Sequence, residues 1–118
     1  MPTKGYKHLL GQFNGKEALA SRKGMPNLVD EITFGIYNGR GVPYPQDENC
    51  GDMYIRWYDL GYAVVPQFEC DLWSRSILIA CSELFSDPQL PNHRTTPEQF
   101  LRLLEKHHYT DFTRRTRD

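Results

Sequence analysis

A chain of 118 residues with 39% hydrophobic and 25% charged side chains has the make-up of one globular domain, expected to span residues 1–118, and not that of a disordered segment. No apolar run approaches the length of a membrane span, and the start Met1–Gly5 lacks the apolar stretch of a secretion signal, so the expected setting is the cytoplasm. A net charge of −1 and a mean hydropathy of −0.63 describe a wet surface around a single core.

The near-neutral total hides a segregation. Residues 1–29 carry five basic side chains against Glu17 alone, a balance of +4; residues 30–71 carry eight acids against Arg40 and Arg56, a balance of −6. An acidic middle segment argues against its strands tracking a phosphate backbone, which calls for clustered Lys and Arg. Cys50, Cys70 and Cys81 are an odd set without CxxC spacing or a paired histidine motif, so reduced thiols are expected in place of a disulfide framework or a zinc site. Cys81, among Ile79, Ala80 and Leu84, reads as a small buried hydrophobe. Cys50 falls in a loop whose Asp47, Glu48 and Asp52 disfavour a thiolate.

In chain order, Tyr6, Leu9, Leu10 and Phe13 have approximate helical spacing that Gly5, Gly11 and Gly15 dilute, and Lys16–Lys23 can continue it as a short helix. Gly24–Asn27 then breaks the pattern. Three segments follow with apolar residues on alternate positions, the period of a half-buried strand: Glu31–Tyr37, Asp52–Tyr58 and Tyr62–Glu69. The turn-rich stretch of residues 38–51 is too long for a tight hairpin and forms a loop between the first two. Asp59-Leu60-Gly61 suits a three-residue hairpin loop between the second and third, with Gly61 in the left-handed region. That loop sets Tyr58 opposite Tyr62, Arg56 opposite Val64 and Tyr54 opposite Pro66. It assigns Met53, Ile55, Trp57, Ala63 and Val65 to the core face, and Tyr54, Arg56, Tyr58, Tyr62, Val64 and Phe68 to the other. Pro66, which lacks a ladder donor, makes the third strand an edge.

Asp71 can cap a helix carrying Leu72, Ile77, Ala80, Cys81 and Leu84 and ending near Ser86–Pro88. Thr96-Pro97-Glu98-Gln99 combines a capping residue, proline at the first helical position and the Gln of a capping box, so a second helix starts there. Its buried stripe is Phe100, Leu101 and Leu104, with Leu103 adjoining, and His107 and His108 end it. Arg114, Arg115 and Arg117 lie in a polar stretch that reads as a loosely tethered tail, with residues 1–5 and 113–118 expected to be flexible. The assembled expectation is an α+β fold: a three-stranded antiparallel meander with two or three helices packed mainly on one face.

Chemistry is sparse. No GxSxG turn, Walker loop, HExxH motif or paired-carboxylate spacing is present, and Gly39-Arg-Gly41 is too short for a phosphate loop. The polar candidates for catalysis, His93, His107, His108, Asp52 and Glu69, form no recognisable motif, and the adjacent histidines are explained by the dipole at a helix end. No catalytic residue, cofactor or metal is therefore assigned. The candidate contact residues are Tyr37, Tyr44, Tyr54, Arg56, Tyr58 and Tyr62. The Tyr/Arg sheet face leaves four readings open: cover by the N-terminal segment, a protein interface of which a homodimer is the commonest form, base stacking that the acidic surroundings disfavour, and small-molecule binding.

Two segments, Val29–Tyr37 and Gly51–Gly61, resemble parts of small bacterial proteins of unknown function carried on mobile elements, of the integron gene cassette type, over roughly Val29 to Trp73. The resemblance implies a cytoplasmic accessory protein and brings no activity or site residue with it. The leading expectation is a small interaction or regulatory protein, homodimeric, that meets a protein partner through the Tyr/Arg face or the 38–51 loop. Its rival is a small-ligand-binding protein or enzyme with a pocket between sheet and loop, lined by Trp57, Tyr54 and Tyr44.

Overall fold

The computed structural model describes residues 27–36, 52–70, 75–90 and 93–117. The N-terminal helix, the 38–51 loop with Tyr44 and Cys50, Tyr37, and Asp71 as a helix cap lie outside the described residues. The elements are β1 (Asn27–Gly35), β2 (Asp52–Asp59), β3 (Val64–Cys70), α1 (Arg75–Phe85), α2 (Pro97–Lys106) and β4 (Phe112–Thr116). The strands form one antiparallel sheet in the order β3-β2-β1-β4, and with the two helices the fold is α+β. The meander of the first three strands is present, with β3 and its Pro66 at one edge.

The hairpin differs from expectation in a way that exchanges faces. Gly61 has φ 93°, but the turn contains two residues, Gly61 and Tyr62, closed by Leu60 N–H donating to the Ala63 carbonyl at 2.8 Å. The Asp59 carboxylate accepts from Gly61 N–H at 2.8 Å, so Asp59 stabilises the turn from outside it. The resulting pairs are Tyr58 with Val65, Trp57 with Pro66, Arg56 with Gln67, Ile55 with Phe68 and Tyr54 with Glu69. This register is three residues away from the expected one. An odd shift turns every β3 side chain over. Phe68 therefore enters the core, 3% exposed, while Ala63 and Val64 are exposed and Val65 is buried opposite Tyr58 on the other face.

On the helix side, three rows of side chains cross the sheet: Arg114, Ile32, Ile55, Phe68; Phe112, Phe34, Met53, Cys70; and Thr116, Asp30, Trp57, Pro66. Their apolar members join Ile77, Ala80, Cys81 and Leu84 of α1 and Phe100, Leu103 and Leu104 of α2 in one cluster. Phe34 packs on Phe100 and Tyr109 with ring centroids 5.6 Å apart in both pairs, Trp57 meets Phe100 edge-on at 6.3 Å, and Phe68 meets Phe85 at 4.9 Å. Trp57 also donates its indole N–H to the Thr95 carbonyl at 2.8 Å, fixing the segment that leads into α2.

Helix α2 begins as its sequence dictates. Thr96 Oγ1 accepts from Gln99 N–H at 3.2 Å while Gln99 Oε1 accepts from Thr96 N–H at 2.9 Å, with Pro97 in the first turn. Leu103 is fully buried and Leu101 only partly, so the stripe is rotated slightly from the expected one. The helix ends in a Schellman arrangement: His108 N–H donates to the Glu105 carbonyl at 3.0 Å and Tyr109 N–H to the Leu104 carbonyl at 2.8 Å, with His108 at φ 65° and Leu104 and Tyr109 both buried.

Where the sequence reads as a loosely tethered tail, Phe112–Thr116 is a strand paired to β1, and Arg117 N–H donates to the Val29 carbonyl at 2.8 Å. The physical reason lies across the sheet. Asp30 is 6% exposed on the helix side and needs a cation, and Arg114 supplies one through Nη2 at 2.7 Å and Nε at 3.3 Å.

Candidate contact face

With the helices on one side, alternation along the strands sends Glu31 and Thr33, Tyr54, Arg56 and Tyr58, Val65, Gln67 and Glu69, and Thr113 and Arg115 to the other. The centre of this face is Arg56. Its Nε donates to Glu31 Oε2 at 2.6 Å, its Nη1 pairs with Glu69 across the β2–β3 ladder, and its guanidinium lies 5.0 Å from the centroid of the Tyr54 ring. An arginine anchored on both flanks and over an aromatic ring has already lost most of its rotamer freedom. Partial burial opposes the Arg56 charge, but the hydrogen bond it donates to Glu31 and the field of Glu69 outweigh it and raise the pKa above its ordinary value. The Tyr58 hydroxyl is likewise pushed up, first by burial and then by Glu69, so Tyr58 is a neutral donor and acceptor at physiological pH.

The side chain of Arg56 remains 29% exposed between the half-buried rings of Tyr54 and Tyr58. Arg115, on β4, is registered opposite Glu31 and is exposed. Among the described residues, two arginines therefore balance two glutamates on this face. The acidic character of residues 30–71 is offset locally by β4, a contribution hidden in sequence because β4 comes from the far end of the chain.

Of the expected contact residues, Tyr54, Arg56 and Tyr58 are brought together on one face. Tyr62 is separate from them: it occupies the hairpin turn and is 74% exposed, the consequence of the two-residue loop. Tyr37 and Tyr44 lie outside the described residues. Glu31, Glu69 and Arg115 belong to the face and were missed. Glu31 carried a usable signal, since it lies at the face-reversed positions of its strand, whereas Glu69 required the correct hairpin register and Arg115 required β4.

The rival pocket loses its lining. Trp57 is 1% exposed and packs on Phe100 beneath the helices, whereas Tyr54 lies on the opposite face of the same strand, so the two rings cannot line one cavity. The polar catalytic candidates are likewise dispersed. His107 contacts Asp87 at 2.8 Å, His108 forms the end of α2, Glu69 is engaged by Arg56, and Asp52 is exposed at the start of β2. Among the described residues no His, Cys, Asp and Glu side chains converge in a group able to hold a metal ion. Cys81 is 1% exposed, and its thiol pKa is pushed up by burial, with Cys70 adding to the rise; such a thiol is unreactive. No described helix is long and apolar enough to cross a membrane.

No family model, curated protein or solved structure matches this chain.

Proposed function

We propose that the chain is a small interaction protein that meets a protein partner through the sheet face centred on Tyr54, Arg56 and Tyr58. One observation carries the reading: Arg56 is held by Glu31 and Glu69 above the Tyr54 ring while keeping an exposed edge. Tyr and Arg dominate the energetics of protein interfaces because they contribute large contact areas, and a side chain already ordered loses little further entropy on binding. The balanced charge supports a protein over a phosphate backbone, which would favour a net positive groove. The two segments resembling cassette-encoded proteins run through β1 and β2, the strands that carry most of this face, which fits an accessory role.

The test is site-specific photo-crosslinking in the producing cell. A photoreactive residue at position 58 is expected to give a discrete protein adduct, and one at Arg102, exposed on α2, is expected to give none. Equal labelling from both positions, or no adduct from position 58, would overturn the proposal.

A further inference from the structure

From the charge order across the face, we infer that the partner is a second copy of this chain, docked face to face about a two-fold axis parallel to the strands and midway between β1 and β2. The inference rests on the reading of this face as a contact surface and adds to it the identity of the occupant.

Across the sheet in spatial order, β4 presents Arg115, β1 Glu31, β2 Arg56 and β3 Glu69. The signs alternate: plus, minus, plus, minus. A two-fold axis parallel to the strands reverses this order on the second copy, so each charge meets its opposite. Arg115 faces the second copy's Glu69, and Glu31 faces the second copy's Arg56. Each of these contacts occurs twice, as a closed isologous interface requires. An axis perpendicular to the strands would not reverse the order and would set like charges together.

Arg115, Glu31 and Arg56 share one row, and Glu69 lies one side-chain row along from Gln67, the residue opposite Arg56. Arg56 already spans that diagonal to reach Glu69 within the chain. Sheets stacked at about 10 Å leave room for Arg and Glu side chains to meet between them. The half-exposed Tyr54 and Tyr58 rings supply the apolar part of the contact. Four strands at about 4.8 Å and five residues at about 3.4 Å give a face of about 19 by 17 Å. That is a small interface held largely by charge, so micromolar dissociation and strong salt dependence are expected.

Arg115 and Glu69 are the residues to test. They lie on opposite edges of the sheet and one row apart, about 16 Å from each other within one chain, so their coupling inside a monomer is weak. Both are exposed, and Arg56 keeps Glu31 when Glu69 changes. Sedimentation equilibrium of the full chain is expected to show a wild-type dimer at tens of micromolar. Arg115→Glu and Glu69→Arg are each expected to weaken it by about tenfold or more, because like charges then meet twice across the interface. Mixing the two variants restores opposite charges at both contacts, so an equimolar mixture recovers the dimer, as does the double variant Arg115→Glu/Glu69→Arg by itself. Circular dichroism melts identify any variant that fails to fold, in which case the double variant decides. A wild-type monomer at these concentrations would overturn the inference, leaving the contact reading to the crosslinks at position 58. A wild-type dimer that the single variants leave intact, or that mixing fails to restore, would overturn it as well.

Discussion

His108 occupies φ 65°, a region in which a side chain with a Cβ is strained and glycine is not, yet the Schellman hydrogen bonds and the burial of Tyr109 hold it there. His108→Gly is therefore expected to raise stability by about 0.5–1 kcal/mol, net of the added freedom of the unfolded chain, as read from the urea midpoint. Just beyond the end of α1, Asp87 is nearly buried and meets Lys106 Nζ and His107 Nε2 at the end of α2, both at 2.8 Å, while its other oxygen accepts from Gln89 N–H at 2.8 Å. The Lys106 hydrogen bond is the largest influence on its carboxyl; burial opposes it, and Gln89 and His107 add to it, bringing the pKa from 3.8 down to about 2. Because the folded value lies below the unfolded one, the carboxylate stabilises the fold fully above about pH 4 and loses that contribution as pH falls through about 2. Urea titrations of wild type and Asp87→Asn should show a wild-type advantage at pH 5 that shrinks towards pH 2.

At the scale of elements, β4 is the instructive case. Its side chains beyond Phe112 are exposed, so its ladder with β1 and the Arg114 network hold it in place. Arg114 joins Asp30 on β1 to Glu98 in the first turn of α2, the latter at 2.9 Å, thereby connecting edge strand, inner strand and helix. The Asp30 hydrogen bond raises the Arg114 pKa further, against the effect of burial, and Glu98 adds to it; the charge is permanent. Arg114→Ala would leave Asp30 without its cation and is expected to cost about 1–3 kcal/mol, with partial exposure of the guanidinium moderating the loss. Amide exchange should accelerate first in residues 112–116, while β2 and β3 keep their protection.

Elements with local determinants were legible: α2 from Thr96, Pro97 and Gln99, the C-terminal end of α1 near Ser86, and the two faces of β2 from Met53, Ile55 and Trp57 against Tyr54, Arg56 and Tyr58. What was not legible was non-local. Strand β4 lacks apolar alternation because its anchor is an ion pair with a residue 84 positions away. The hairpin register depended on whether Leu60 belonged to the turn or to the strand end, and its burial at 2% exposure decides for the strand end. That single displacement moved Phe68 into the core and Glu69 onto the contact face.

For the whole molecule, the two faces of the sheet differ in kind. One carries the aromatic and aliphatic cluster with the helices, where shortening a side chain opens a void. Trp57→Phe, which also leaves the Thr95 carbonyl without the indole donor, is expected to cost about 2–4 kcal/mol by urea denaturation while leaving self-association of the remaining folded chain unchanged. The other face carries the ordered arginine, and the same division explains why Arg56→Glu is a poor probe of association. It would set a third carboxylate between Glu31 and Glu69 and disturb the fold as well as the contact. Salt is a gentler lever: raising ionic strength from about 0.1 to 1 M shortens the screening length from about 10 to 3 Å and should dissociate the proposed dimer without unfolding the chain.

The most direct measurement is hydroxyl-radical footprinting of the tyrosines as a function of protein concentration. Tyr54 and Tyr58 are expected to be labelled readily in dilute solution and protected as concentration rises through the micromolar range, while Tyr62, outside the contact on the hairpin turn, is labelled equally throughout. Labelling of Tyr54 and Tyr58 that does not change with concentration, or protection that falls on the helix side of the molecule instead, would contradict the account.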